Sequence, residues 1–477
     1  MKKFLSNSSF AILFGIMVVC FSCKSGKAVQ VEDAPWKKMK TILEEVKIPV
    51  FKNNTYNIKE FGAIADGVTS NTVAINDAIK ACFKNGGGVV EISAGKYLTG
   101  PIWLEDNVNL HLSEGVELLF STNSADYPLV QTSFEGTEMM NYSPLIYAYK
   151  KKNVAITGKG TLNGQGNNEN WWWWCGSKKY GWKEGMPKQQ DPLNRDNLVQ
   201  MAEDGVAVTD RVFGEGHYLR PNFVEFFECN NVLIKDLKII NAPFWVIHPM
   251  KSTNVTVDGV TVQSHGPNND GCDPEYSKNV VIKNCTFDTG DDCIAIKSGR
   301  DGDGRRVGIV SENIVVKDCK MIDGHGGVVM GSEISAGVRN VFVENCVMDS
   351  PNLDRAIRIK SNSKRGGIVE NIYVRNIEVG QVKESVLRIN MFYGIYGNQT
   401  GNFIPQVRNI TLENVTVKNG GEYGILAKGY KELPIENVNF INVKIEKVGK
   451  PYSIENLKGL KFINTYINGE LMKSPIE

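Results

Sequence analysis

Three observations on this 477-residue sequence predict an all-β fold, a single right-handed parallel β-helix with a short N-terminal capping helix. An Asn followed by alternating apolar residues recurs at Asn231, Asn254, Asn279, Asn313, Asn340, Asn371, Asn409 and Asn437, at intervals of 23 to 38 residues. Six places after each stands an apolar residue or a thiol: Leu237, Val260, Cys285, Cys319, Cys346, Ile377, Val415 and Val443. Four segments ending in Ser, "DGCDPEYS" (270–277), "DDCIAIKS" (291–298), "HGGVVMGS" (325–332) and "DRAIRIKS" (354–361), can be laid over one another. Repetition of this kind marks a solenoid, in which each coil buries its apolar face only against its neighbours. With strands stacked about 4.8 Å apart, Asp270, Asp291, His325 and Asp354 share one column, and Cys272 and Cys293 share another.

Composition sets the outer limits. Hydrophobic residues make up 42% and charged residues 22%, and 47 glycines against 17 prolines point to many turns rather than disorder. A formal net charge of +1 provides no broad field for nucleic acid or a membrane surface, so any charge selectivity has to be local.

In chain order, residues 1–23 read as a signal peptide: Lys2 and Lys3 precede the apolar run "FAILFGIMVVCF" (10–21), which is short for a membrane span. The small residue before Cys23 resembles a bacterial lipobox, in which that cysteine is lipidated after cleavage; ordinary cleavage nearby is the alternative. Both readings export the protein, to the periplasm or outer membrane of a Gram-negative cell, with membrane contact only through a lipid anchor. Residues 24–55 form a linker and helix. Trp36, Met39, Ile42, Leu43 and Val46 follow helical spacing until Pro49, and the helix is expected to cover the open end of the solenoid.

The β-helix domain is expected over 56–477. It opens with a helix-like run at 71–83, and Gly86, Gly87 and Gly88 read as a tight turn because no Lys-Ser/Thr follows them as in a phosphate cradle. An insertion at 168–190 carries Trp171 to Trp174, four residues that cannot share one face of a strand. Trp173 and Trp174 are candidates for stacking against sugar rings, and a packed loop bracing the cleft is the competing reading.

Eight cysteines follow Cys23. The apolar column accounts for Cys285, Cys319 and Cys346 as small interior hydrophobes. A Cys272–Cys293 bridge is allowed by rung spacing and disfavoured by the parallel Cβ directions of stacked strands. No CxxC pair or His-rich spacing suggests a metal, and "DGDG" (301–304) lacks the other ligands of a calcium loop and reads as a flexible turn. No cofactor is expected.

Chemistry concentrates where the columns are polar. Asp291 and Asp292 sit at a turn with Asp270 one coil before and His325 one coil after. Carboxylates this close repel, so at least one retains its proton near neutrality, and a protonated acid beside ionised ones suits glycoside hydrolysis. Arg358 and Lys360 alternate to one side of a later strand and read as a clamp for an anionic sugar, or as a surface-charge pair.

"NNDGCDP" (268–274), "TGDDCIAIKSG" (289–299), "DGHGG" (323–327) and "RIK" (358–360), in that order, resemble the four signature motifs of glycoside hydrolase family 28, the polygalacturonases and their relatives. The resemblance runs from "FGAIADG" near Phe61 through the last coils. It implies metal-free hydrolysis of galacturonic-acid-rich pectin with inversion. Asp291 would be the general acid, Asp270 and Asp292 would activate water, His325 would help keep the acid protonated, and Arg358 and Lys360 would hold the galacturonate carboxylate. Asn269 replaces a Thr common in the family, which would alter substrate contacts. The insertion at 168–190, "GRDGDGRRVG" (299–308) and "MFYGIYGNQTGNF" (391–403) would close one end of the cleft, resembling exo-acting members. The expected partner is a pectic polysaccharide or oligogalacturonide, bound by a monomer. A calcium-dependent pectate lyase, a non-catalytic glycan-binding β-helix, and endo-acting, rhamnogalacturonan or xylogalacturonan hydrolases are the competing readings.

Overall fold

A computed structural model describes residues 34–394 and 401–475. The expected signal peptide with Cys23, residues 24–33 of the linker and residues 395–400 lie outside the described residues.

The chain winds into a parallel β-helix. One ladder of parallel strands runs from Thr55–Asn57 to Leu457–Ile463 and a second from Asp66–Ser70 to Tyr466–Ile467; the long strands Ile368–Gln381 and Gln406–Asn419 belong to both. A third face is built from Ile102–Trp103, Ile146–Tyr149, Val224–Phe227 and Ile247–Met250. It continues through single bridges at Cys272 and Glu275 into Ile294–Ile296, Val328–Met330, Arg355–Lys360, Ser385–Asn390, Tyr423–Lys428 and Lys450–Glu455.

The recurrent Asn has a physical cause. Asn231, Asn254, Asn279, Asn313, Asn340, Asn371, Asn409 and Asn437 all turn the chain with φ between 56° and 61°, a left-handed conformation that Asn tolerates better than other side chains. Their amides also stack: Asn279, Asn313, Asn340, Asn371, Asn409 and Asn437 each donate from Nδ2 to Oδ1 of the Asn one coil earlier, at 3.0–3.4 Å. The apolar column expected six residues on is buried throughout. Cys285, Cys319 and Cys346 lie within it, and all eight cysteines from Cys82 onward are buried free thiols.

Three local expectations change. The column containing Cys272 is displaced by one residue: Cys272 pairs with Ile294 rather than Cys293, whereas Ile294, Val328 and Ile357 align as expected. Pro274 has no N–H to give the ladder, and this stretch pairs only through isolated bridges. No disulfide joins the two thiols. The N-terminal helix, Ala34–Glu45, lies against the outside of a sheet, with Trp36, Met39 and Ile42 packed on Val281, Val315 and Phe342. Those exposed-face aliphatics and the aromatic pair Phe342–Tyr373 offer it a larger apolar seat than the coil end does. The helix Thr72–Lys84 covers the first coils instead, burying Ile75, Ala78, Ile79 and Cys82 in the main core. Finally, "DGDG" belongs to a helix, Asp301–Val307, fixed by Asp301 to Arg365 and by Asp303 to Arg211 and Arg306. Gly86, Gly87 and Gly88 form the expected turn, with φ of 82°, 96° and 152°.

Candidate active site

The polar column gathers at the turns entering the third face, where each coil delivers a residue to the same edge. One oxygen from each of Asp270, Asp291 and Asp292 lies within 4.8 Å of the others. Each carboxylate has its own cation. Lys297 Nζ donates to Asp270 Oδ2 at 3.2 Å. His325 Nδ1 lies 2.9 Å from Asp291 Oδ1. Arg358 Nη1 and Lys360 Nζ donate to the two oxygens of Asp292 at 3.2 and 2.6 Å. Four cationic side chains thus supply the positive charge that a divalent ion would bring to such a trio. The group His265, Asp288 and Asp323 also lies close together, but the two ring nitrogens face different carboxylates, 2.9 Å from Asp288 and 3.8 Å from Asp323, which is an ion-pair arrangement.

Burial and charge set the protonation. Burial, opposed by Lys297 and reinforced by Asp291 and Asp292, pushes Asp270 up to about 7. Asp273, wholly buried, is raised well above the ordinary carboxyl range by burial and by Asp270, against Lys297. For Asp291 burial favours the neutral acid, but His325, Lys360 and Arg358 together outweigh it and hold the carboxyl well below the usual range. His325 is raised to about 9 by the charge and hydrogen bond of Asp291, with burial opposing. The expectation that His325 keeps Asp291 protonated is therefore reversed: a cation beside a carboxylate favours its ionised form. Within the trio Asp270 is the carboxyl pushed toward its protonated form, as is Asp273 beside it.

These groups line a pocket of about 330 Å³ with Asp270, Asp291, His325 and Lys360 at its base. Its walls come from Glu135, from Cys175, Ser177, Tyr180, Gln189 and Gln190 of the long insertion, from Arg195 just after it, and from Arg300, Glu333, Arg365 and Tyr393. Trp245 also faces it, with Lys297 Nζ 4.4 Å from its ring centroid.

Five sequence candidates fall outside this lining: Asp292 and Arg358, which are buried and paired with each other, and Trp173, Trp174 and Asn269. Trp173 and Trp174 pack against Tyr218, and Trp174 also against Tyr142 and Trp171. The short helical turn Trp171–Cys175 directs them into the insertion's own packing, and Tyr180 reaches the pocket instead. Asn269 is buried, accepting from Ser264 Oγ and Gly266 N and donating to the Phe244 carbonyl. It shapes the turn that presents Asp270, and Asn268 reaches the pocket. Arg358 and Lys360 are no surface pair: both are buried and anchored on Asp292.

Sequence reasoning passed over Lys297, Asp273 and Glu333. Lys297 Nζ lies 3.2, 3.5 and 3.4 Å from carboxylate oxygens of Asp270, Asp273 and Glu333. Its place in the same motif column as Lys360 was the available signal.

Comparison with known proteins places this geometry. A family model described as "Glycosyl hydrolases family 28" matches residues 207–464, and one described as "Rhamnogalacturonase A/epimerase, pectate lyase-like" matches residues 55–113. An exo-poly-alpha-D-galacturonosidase of Dickeya chrysanthemi is 30% identical over 443 residues, covering 88% of this chain and 72% of that protein. A probable polygalacturonase of Vitis vinifera is 28% identical, covering 85% and 77%. Among solved structures, a hyperthermoactive exopolygalacturonase from Thermotoga maritima superposes with a TM-score of 0.84 at 43% identity, covering 90% of this chain and 96% of that one.

Proposed function

The chain belongs to glycosyl hydrolases family 28, and on that premise we propose that it removes galacturonic acid from the non-reducing ends of α-1,4-linked pectic chains, with inversion. The observation that carries the reading is the trio of mutually close carboxylates, two of which, Asp270 and Asp291, line a pocket walled in part by the long insertion. A wall across one end of a groove admits a chain end and rejects a chain interior. Arg195, Arg300, Lys360 and Arg365 in the lining suit an anionic sugar. The 43% identity to the Thermotoga maritima exopolygalacturonase supports exo action; endo-polygalacturonases also occur among the relatives, at 27% identity.

Asp291 is assigned as the donor to the leaving oxygen, and Asp270 with Asp292 as the water-activating pair, following the motif resemblance. Because Asp270 rather than Asp291 is the carboxyl pushed toward its protonated form, donation through Asp291 requires a proton to pass between carboxylates whose oxygens lie within 4.8 Å. The trio therefore acts as one titrating unit. Its spacing is shorter than the roughly 6.5–9.5 Å of most inverting pairs, so inversion rests on the resemblance, and the anomer formed first, read by proton NMR, tests it: β for inversion.

The test of the whole reading is incubation with oligogalacturonides of defined length plus a chelator, with chromatography and ultraviolet absorbance. Saturated galacturonic acid released alone from the start supports it. Mixed oligomers overturn exo action, and an unsaturated, chelator-sensitive product overturns hydrolysis. Export and lipid anchoring at Cys23 are part of the same proposal, supported by the N-terminal sequence pattern.

A further inference from the structure

The third face does not end at the catalytic rungs. Past Arg355–Lys360 it continues through Ser385–Asn390, Tyr423–Lys428 and Lys450–Glu455. Toward the N-terminus, Glu135, Cys175, Tyr180 and Arg195 wall the pocket. Tyr393, just past the strand Ser385–Asn390, also lines the pocket, so the next rung of the third face adjoins the site. Arg388 lies on that rung.

Arg388 is paired in parallel register with Arg358, so the two side chains project from the same side of the sheet, while its neighbours Leu387 and Ile389 are buried in the core. The cations around it are already matched with carboxylates. Arg358 holds Asp292, and Arg355 holds Asp354 and Glu384. Arg388 makes no hydrogen bond or ion pair with any described residue, although it is partly withdrawn from water. Burial, Arg355 and Arg358 disfavour its charge, and Glu384, itself bound to Arg355, offsets them only in part, so an arriving anion would complete its compensation. Its planar fork fits a carboxylate in bidentate fashion. One rung is about 4.8 Å, comparable with the length of one sugar residue, so successive rungs can address successive sugars.

We propose that Arg388 forms a carboxylate-binding subsite for a galacturonate residue on the leaving-group side, beyond the bond that is cleaved. This rests on the hydrolase reading above. It gives the enzyme a preference for chains whose second leaving-side sugar is an unesterified uronate.

Two trimers test it: trigalacturonate, and the same trimer with its reducing-end carboxyl reduced to give a neutral galactose. The unaltered protein should favour the acidic trimer in kcat/KM by about ten- to a hundredfold, the range of a charge-assisted pair. Arg388→Gln should lose most of that preference, and Arg388→Lys, which keeps the charge without the fork, should keep part of it. Equal preference in the unaltered protein and the Gln variant, or an equal loss on both trimers, overturns the subsite. If neither trimer is cleaved by the unaltered protein, hydrolysis itself is overturned. Calorimetric Kd values for the same two trimers then decide the subsite separately: an Arg388-dependent preference for the acidic trimer supports it, and equal Kd values overturn it.

Discussion

At the scale of single residues, proton ownership is the central matter. On the proposed mechanism the trio needs one proton for the leaving oxygen, and Asp270, pushed up to about 7, is the carboxyl of the trio that retains one. A raised carboxyl pKa means the proton is present below that value and lost above it, so kcat/KM should fall as pH rises through about 7. A rate that climbs through the same interval would show that the titrating group must be ionised for catalysis. Roles within the trio separate by leaving group. Asp291→Asn should lose several orders of magnitude on oligogalacturonides but recover much of that on an aryl galacturonide with an acidic phenol, which departs without protonation. Asp270→Asn should lose rate on both. The opposite pattern would exchange the two assignments.

At the scale of elements, the Asn ladder is what makes coils of unequal length stack in register. At Asn340 the left-handed turn (φ 57°) and two amide bonds, one donated to Asn313 and one accepted from Asn371, coincide. Asn340→Ala should cost about 2–4 kcal/mol from backbone strain and two lost hydrogen bonds. Asn340→Gly should cost less, because glycine accepts the turn and loses only the bonds. Denaturant unfolding of the two variants measures this, and equal losses would mean that the backbone conformation contributes nothing. The strand Arg355–Lys360 shows how an element determines chemistry. Its inward residues Ile357 and Ile359 fix the register, and Arg358 and Lys360 then have to face Asp292.

For the whole molecule, the proposed exo action depends on a cleft walled at one end. Removing single sugars from chain ends leaves polymer length nearly unchanged, so the viscosity of polygalacturonate should fall slowly while reducing ends accumulate quickly. A rapid early fall in viscosity would mean internal cleavage and a groove open at both ends. With a net charge of +1, no long-range field draws the substrate in, and recognition depends on the arginines and lysines concentrated around one pocket.

The sequence alone determined the solenoid, because a parallel coil repeats one steric problem at each turn and solves it with the same residues: Asn at the left-handed corner and an aliphatic or thiol six places on. It also determined Asp270, Asp291, Asp292, His325, Arg358 and Lys360 as a group, since a column in the repeat is a line of neighbours in space. The tertiary structure decided what spacing cannot encode. The register around Pro274 is offset by one residue, so Cys272 is paired with Ile294 and no disulfide joins it to Cys293. A sheet face with better apolar cover took the N-terminal helix from the coil end. Packing against Tyr218, and for Trp174 also Tyr142, drew Trp173 and Trp174 away from the pocket, which Tyr180 and Arg195 line instead. Protonation was settled in three dimensions as well, because burial and the distances from Lys297, His325, Arg358 and Lys360 to the carboxylates determine which one keeps the proton.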